Sequence, residues 1–249
     1  MEILSLIDKH IWGLPLCALI IGCGIWLTLR VRFLQVRHLG RALHYMVHNE
    51  NSGDGEVSSF GALCTALSAT IGTGNIVGVA TAIAAGGPGA LLWMEIAAFF
   101  GMATKYSEGL LAIKYRTIGK DGHVLGGPFY YIERGMGKNW KWLAKLFAFL
   151  GATAGLLGIG TITQVNGITS AAQDFFDPTL QHVVFYIGTG DSAVPITLTT
   201  MVTGALVTLA VALVVIGGIK RIANVSQIVV PFMAILYIGF AVLLLLCNL

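Results

Sequence analysis

Leu63-Cys-Thr-Ala-Leu-Ser-Ala-Thr-Ile-Gly-Thr-Gly-Asn-Ile-Val-Gly-Val-Ala-Thr-Ala-Ile-Ala-Ala-Gly86 is the stretch on which the reading of this chain turns. It is apolar and exceeds the ~20 residues that a membrane-crossing helix needs. Yet Gly72-Thr73-Gly74-Asn75 sits in its middle. Two glycines flanking a hydroxyl, followed by an amide, are poor helix formers. In hydrocarbon, an interrupted backbone survives only where protein buries it or where it lines a cavity. A helix broken near the bilayer midplane is the feature around which secondary transporters build binding sites.

The composition agrees with a membrane setting. Of the 249 residues, 56% are hydrophobic and 11% charged, against about 25% charged in soluble domains. The mean hydropathy is +0.81. The chain therefore reads as an all-α polytopic membrane protein in contact with a lipid bilayer. A net charge of +3 does not indicate a nucleic-acid partner, because the basic residues fall in loops between apolar spans. Cys17, Cys23, Cys64 and Cys247 lie in apolar stretches without metal-ligand spacing and read as small buried hydrophobes. His38, His44 and His48 cluster with arginines in one loop, as on a surface facing solvent or lipid headgroups. No hydrolytic or redox motif is present. Gly72-Thr-Gly74-Asn-Ile-Val-Gly78 misses the dinucleotide fingerprint by one position and lacks its strand-helix context.

Six spans are predicted, at about 11–29, 60–86, 90–113, 143–170, 195–217 and 224–247. They form a single transmembrane domain over residues 1–249. The first run is preceded by Asp8 and Lys9 and followed by Arg30, Arg32, Arg37 and Arg41. A cleavable signal peptide carries its positive charges in front, so this run reads as a span with its N-terminus outside. With that start, 14 of the 15 Lys and Arg residues fall inside and only Lys9 outside, as the positive-inside rule requires. Both termini are then outside a cell membrane. The loop 171–194 carries Asp174, Asp177 and Asp191 without Lys or Arg.

Lys105 and Glu108 fall within the third span. Lys105 lies about 13 Å from the inner end marked by Lys114, and three residues along a helix bring the two charges together. A structural ion pair is expected, with a coupling-ion role as the alternative. Glu95, near the outer end, reads as interfacial. Gly126-Gly-Pro-Phe-Tyr-Tyr-Ile-Glu-Arg134 reads as a turn followed by an interfacial helix that braces the bundle, or that gates it.

Breaking the helix at 72–75 frees N–H groups, which favour an anion such as an amino-acid carboxylate, and C=O groups, which favour a cation such as Na⁺. The Asn75 amide oxygen and the Thr70 and Thr73 hydroxyls are hard oxygen ligands suited to an alkali cation. The competing reading is that Gly72 and Gly74 merely let helices pack closely. In the fourth span, Gly158-Ile-Gly-Thr-Ile-Thr-Gln-Val-Asn-Gly167 places Gln164, Asn166, Thr161 and Thr163 in apolar surroundings. Burying an unpartnered amide costs about 2–7 kcal/mol. Gln164 therefore faces either a substrate or another helix.

Several motifs together resemble the alanine or glycine:cation symporter family, within the amino acid–polyamine–organocation superfamily. They are Trp12-Gly-Leu-Pro-Leu, Arg32-Phe-Leu-Gln-Val-Arg-His-Leu-Gly-Arg41, Ala62-Leu-Cys-Thr-Ala-Leu and Gly72-Thr-Gly-Asn75. Gly86-Gly-Pro-Gly-Ala90, Gly101-Met-Ala-Thr-Lys-Tyr-Ser-Glu108, Gly126-Gly-Pro-Phe-Tyr-Tyr-Ile-Glu133 and Gly217-Gly-Ile-Lys-Arg-Ile-Ala223 complete the resemblance. It implies uptake of a small neutral amino acid, alanine or glycine, coupled to Na⁺ or H⁺, with no other cofactor and no enzymatic activity. It implies the first five-helix repeat of an inverted-repeat, leucine-transporter-like fold plus one extra N-terminal span. Thr73, Gly74 and Gln164 are then expected to bind substrate, and Thr70 and Asn75 the cation. The sequence departs from the usual family pattern at Glu95, Thr161 and Gly167. Nothing matches the family's second half, with its Asn-Glu-Ala-Gly motif. The expectation is a truncated or split N-terminal half, inactive alone, with a separately encoded second half as partner. A homodimer would need one inverted copy, which the charge bias opposes. The alternative is a non-transporting fragment or assembly partner.

Overall fold

The computed structural model describes residues 5–6, 10–48, 57–120, 122–188 and 194–248. Asp8, Lys9 and Asp191 lie outside them. Contacts divide the chain into two units, Met1–His48 with Gly78–Gly151 and Asn49–Val77 with Ala152–Leu249.

In the first unit, α1 (Leu14–Arg30) starts with proline in its first turn, where no N–H is missed, and ends with Arg30 at the negative end of its dipole. Arg32 (φ 55°) and Phe33 (φ 53°) then turn the chain off the helix axis. Two short helices follow, α2 (Leu34–Arg37) and α3 (Leu39–Val47). After α5 (Val77–Gly86) comes α6 (Gly89–Lys114). α1 packs on α6 through small residues. Gly24 lies so close to Phe100 that a Cβ would stand 3.0 Å from the Phe100 Cβ, and Thr28 and Ala103 are buried. A two-stranded antiparallel hairpin, β1 (Thr117–Ile118) with β2 (Val124–Leu125), precedes α7 (Pro128–Gly135). Gly127, at φ 109°, makes the turn before Pro128, which opens α7. The Gly-Gly-Pro motif is thus a turn followed by a helix, and α7 lies against α6. A 3₁₀ turn, Lys138–Trp140, leads into α8 (Lys141–Leu156).

The second unit holds α4 (Ser59–Thr70), a 3₁₀ turn at Thr73–Asn75, α9 (Ile159–Phe176), α10 (Leu198–Val215) and α11 (Gly218–Cys247). Another antiparallel hairpin, β3 (Val183–Ile187) with β4 (Val194–Thr197), joins α9 to α10. α4 and α11 pack together, with Gly61 and Cys64 on one side and Ala223, Ser226 and Val230 on the other all buried. Their spacing at 223, 226 and 230 is one helical stripe.

Among the described residues three helical segments are long and apolar enough to cross a membrane, Lys138–Phe176 through α8 and α9, α10 and α11, and the interrupted pair α4 and Thr73–Gly86 makes a fourth candidate. Their apolar side chains are largely exposed. On α11, Ile228 and Ile235 are 75% and 71% exposed, which water would penalise and lipid tails accept. The protein is membrane-embedded and mainly helical.

The predicted span 143–170 lies within the candidate Lys138–Phe176, with an irregular turn where α8 ends at Leu156 and α9 restarts at Ile159. Gly158 between them adopts the left-handed conformation (φ 63°, ψ 26°), which glycine alone enters without cost. The structure also adds the two hairpins in the loops. Finally, Cys64 is buried, but Cys17, Cys23 and Cys247 are exposed on the helices.

Candidate functional site

The Ser58 side chain begins α4 by accepting the Gly61 N–H at 3.1 Å. The helix continues to Thr70, then stops: Ile71 (φ −85°, ψ 111°) and Gly72 (φ −143°, ψ −168°) are extended. The chain turns through Thr73–Asn75, and the Asn75 Oδ1 accepts the Gly72 N–H at 3.2 Å, tying the turn to itself.

From α9, Gln164 reaches this turn. Its Oε1 accepts the Thr73 N–H at 2.9 Å. A Cβ on Gly72 would stand 2.6 Å from the Gln164 Nε2, so glycine is needed there for the amide to approach. Gly167 lies one turn further along the same face of α9. A Cβ at that position would meet the Thr73 Cγ2 at 2.5 Å. Glycine at 167 therefore leaves the room that Thr73 occupies against α9.

Thr73, Gly72 and Gln164 are thus brought together, while Gly74 behaves differently. A Cβ there meets nothing within 4 Å, and the residue is exposed. The close-packing reading describes Gly72 and does not describe Gly74. The Thr70 hydroxyl donates to Ala66 O at 2.7 Å, which leaves its oxygen lone pairs to accept. Asn75 is exposed, and its amide oxygen, already holding the Gly72 N–H, keeps a second lone pair. Lys105 and Glu108 stand elsewhere, on α6, with Nζ and Oε2 2.8 Å apart.

Sequence reasoning missed the polar contacts that hold the helices around the turn. Ser226 Oγ donates to Ser68 Oγ at 3.3 Å, and Gln227 Nε2 donates to Ser58 Oγ at 3.3 Å, both joining α11 to α4. Gln173 Oε1 accepts from Thr197 and, at 3.1 Å, from Thr200, joining α9 to the start of α10. The signal was available: Ser226-Gln227 and Gln173 are amides and hydroxyls within apolar helices.

Beyond α9, the Asp177 carboxylate accepts the Gln181 N–H at 2.9 Å and the His182 N–H at 3.2 Å. Foremost the Gln181 N–H, and then the His182 N–H and imidazole, hold this carboxyl below the usual carboxylate range against the opposing push of burial. Near α6, burial first and then the Glu108 charge raise the Tyr131 phenol, with Lys105 opposing.

A sequence profile of the sodium:alanine symporter family matches residues 1–249. The chain belongs to the sodium:alanine symporter family. One relative, described as an uncharacterized transporter of Haemophilus influenzae, is 53% identical over 247 residues, 99% of this chain and 49% of its own length. The sodium/alanine symporter AgcS of Methanococcus maripaludis is 41% identical over 253 residues, 99% of this chain and 51% of its own. The chain spans about half the length of these relatives. Its family is one of symporters, not of enzymes.

Proposed function

We propose that this chain contributes the first repeat of a cation-coupled amino-acid symporter, which takes up a small neutral amino acid together with Na⁺ or H⁺. The observation that carries this reading is the broken helix at Gly72–Asn75, held open by the Thr73–Gln164 hydrogen bond. An interruption with its own polar support leaves backbone groups available to a ligand in an apolar setting. In this reading Thr73, Gly74 and Gln164 bind substrate. The open space at Gly74 admits a small ligand to the backbone. The oxygens of Thr70 and Asn75 help hold the coupling cation, and no other cofactor takes part.

The charge distribution supports an orientation with both termini outside and the basic loops inside. The resemblance supports five helices of an inverted-repeat fold following one extra N-terminal span. The relatives carry about as much chain again. We therefore read the site as one wall, completed by residues outside these 249. Vesicles containing this chain alone are expected to show no Na⁺-dependent accumulation of labelled alanine. Vesicles in which it is joined to the remaining half of a relative are expected to accumulate it. Uptake by the chain alone would overturn the one-wall reading, and no uptake by the joined protein would overturn the transport reading.

A further inference from the structure

A groove of about 490 Å³ in the first unit is lined by Leu34, Gln35, His38, Arg41, Tyr45 and Tyr106, from α2, α3 and α6. None of these residues belongs to the broken helix or its supports. Arg41 is the charged residue of the lining: no carboxylate lines the groove, and no salt bridge engages Arg41 among the described residues.

In α3, Leu39, Leu43 and Met46 recur on one face and are all exposed, while Arg41 and His44 lie on the opposite side. A basic helix with such an apolar stripe lies in the plane of a membrane surface. Basic pockets at that depth bind anionic lipid headgroups.

We propose that this groove holds the headgroup of an anionic phospholipid. Arg41 pairs with the phosphate, and the hydroxyls of Tyr45 and Tyr106 donate to it. The lipid's acyl chains stay in the bilayer, where the apolar stripe of α3 is already placed.

The test is to titrate the purified chain in detergent with phosphatidylglycerol, using phosphatidylcholine as reference, and count retained lipids by native mass spectrometry. One saturable phosphatidylglycerol is expected. Arg41→Gln should weaken its retention about fivefold, the effect of one basic residue at an anionic surface. Arg37→Gln, a neighbouring arginine outside the groove, should leave retention unchanged. Tyr106→Phe provides a second, milder variant, expected to weaken retention in the same direction, and circular dichroism checks that each variant keeps its helices. Equal losses for Arg37→Gln and Arg41→Gln would mean diffuse charge attraction and overturn the site. So would equal retention of phosphatidylcholine. Displacement of the lipid by millimolar inorganic phosphate would show a phosphate site and overturn the lipid assignment.

Discussion

The backbone N–H of Thr73 and the side-chain oxygen of Gln164 stand 2.9 Å apart, although 91 positions separate them in the chain. This hydrogen bond gives the interrupted helix a partner on α9. Without it, a peptide N–H freed by the break would have to find another acceptor in apolar surroundings. The expected consequence is measurable. Gln164→Leu keeps the volume but removes the acceptor, and should destabilise the protein by about 1–3 kcal/mol. Thermal unfolding in detergent reads this directly, and an unshifted midpoint would show that the bond contributes nothing.

The two glycines of the break should respond oppositely to alanine. At Gly72 the new Cβ meets the Gln164 amide at 2.6 Å, whereas at Gly74 it meets nothing. Gly72→Ala should cost about 1–3 kcal/mol, the usual range for overpacking. Gly74→Ala should stay within about 0.5 kcal/mol, as open sites do. If Gly74 admits substrate, its alanine variant should lose uptake in a transport-competent protein while remaining stable. Equal stability losses at the two positions would contradict the geometry.

Asn75 has one oxygen and two claims on it. It accepts the Gly72 N–H at 3.2 Å and, in the proposed site, also a cation. Asn75→Ala in a transport-competent protein should weaken apparent Na⁺ affinity about tenfold, in line with losing one charge-assisted contact. Uptake measured against Na⁺ concentration decides this, and an unchanged affinity removes Asn75 from the cation site.

Asp177 predicts a pH dependence at the end of α9. Its carboxyl is held below the ordinary value of 3.8, first by the Gln181 N–H. A depressed carboxyl stabilises the fold fully above the unfolded value and loses that effect as pH falls through the folded one. Protection of the Gln181 and His182 amides against hydrogen exchange, taken relative to the intrinsic rate at each pH, should therefore be constant above about pH 4 and fall below it. Asp177→Asn should abolish the pH dependence. A persistent dependence in that variant would place its origin elsewhere.

Much of this arrangement is legible in the amino-acid sequence. The break at 72–75 is signalled by local chemistry, since two glycines and an asparagine within four residues are poor helix formers. The turn before Pro128 is equally local, because Gly127 adopts a positive φ that its sequence announces. The interruption at Gly158 has a comparable signal in Gly155, Gly158 and Gly160. Continuous hydropathy conceals it, because an average over a window registers polarity and ignores backbone handedness. The contacts of Gln173 and Gln227 are legible only as amides in need of partners, since which hydroxyl answers each amide depends on how the helices pack.

The sequence by itself determined that the chain is helical and membrane-embedded, and that one of its apolar segments is interrupted at glycine. Apolar content, charge placement and glycine content act over a few residues, so they need no knowledge of the fold. Only the tertiary structure decided that Gln164 closes on Thr73 and that Gly72 is a packing glycine while Gly74 is open. It also decided that Gly167 makes room for Thr73. Those outcomes depend on which side chains α9 brings to the turn, and the distance between residues 73 and 164 is set by packing rather than by either local sequence.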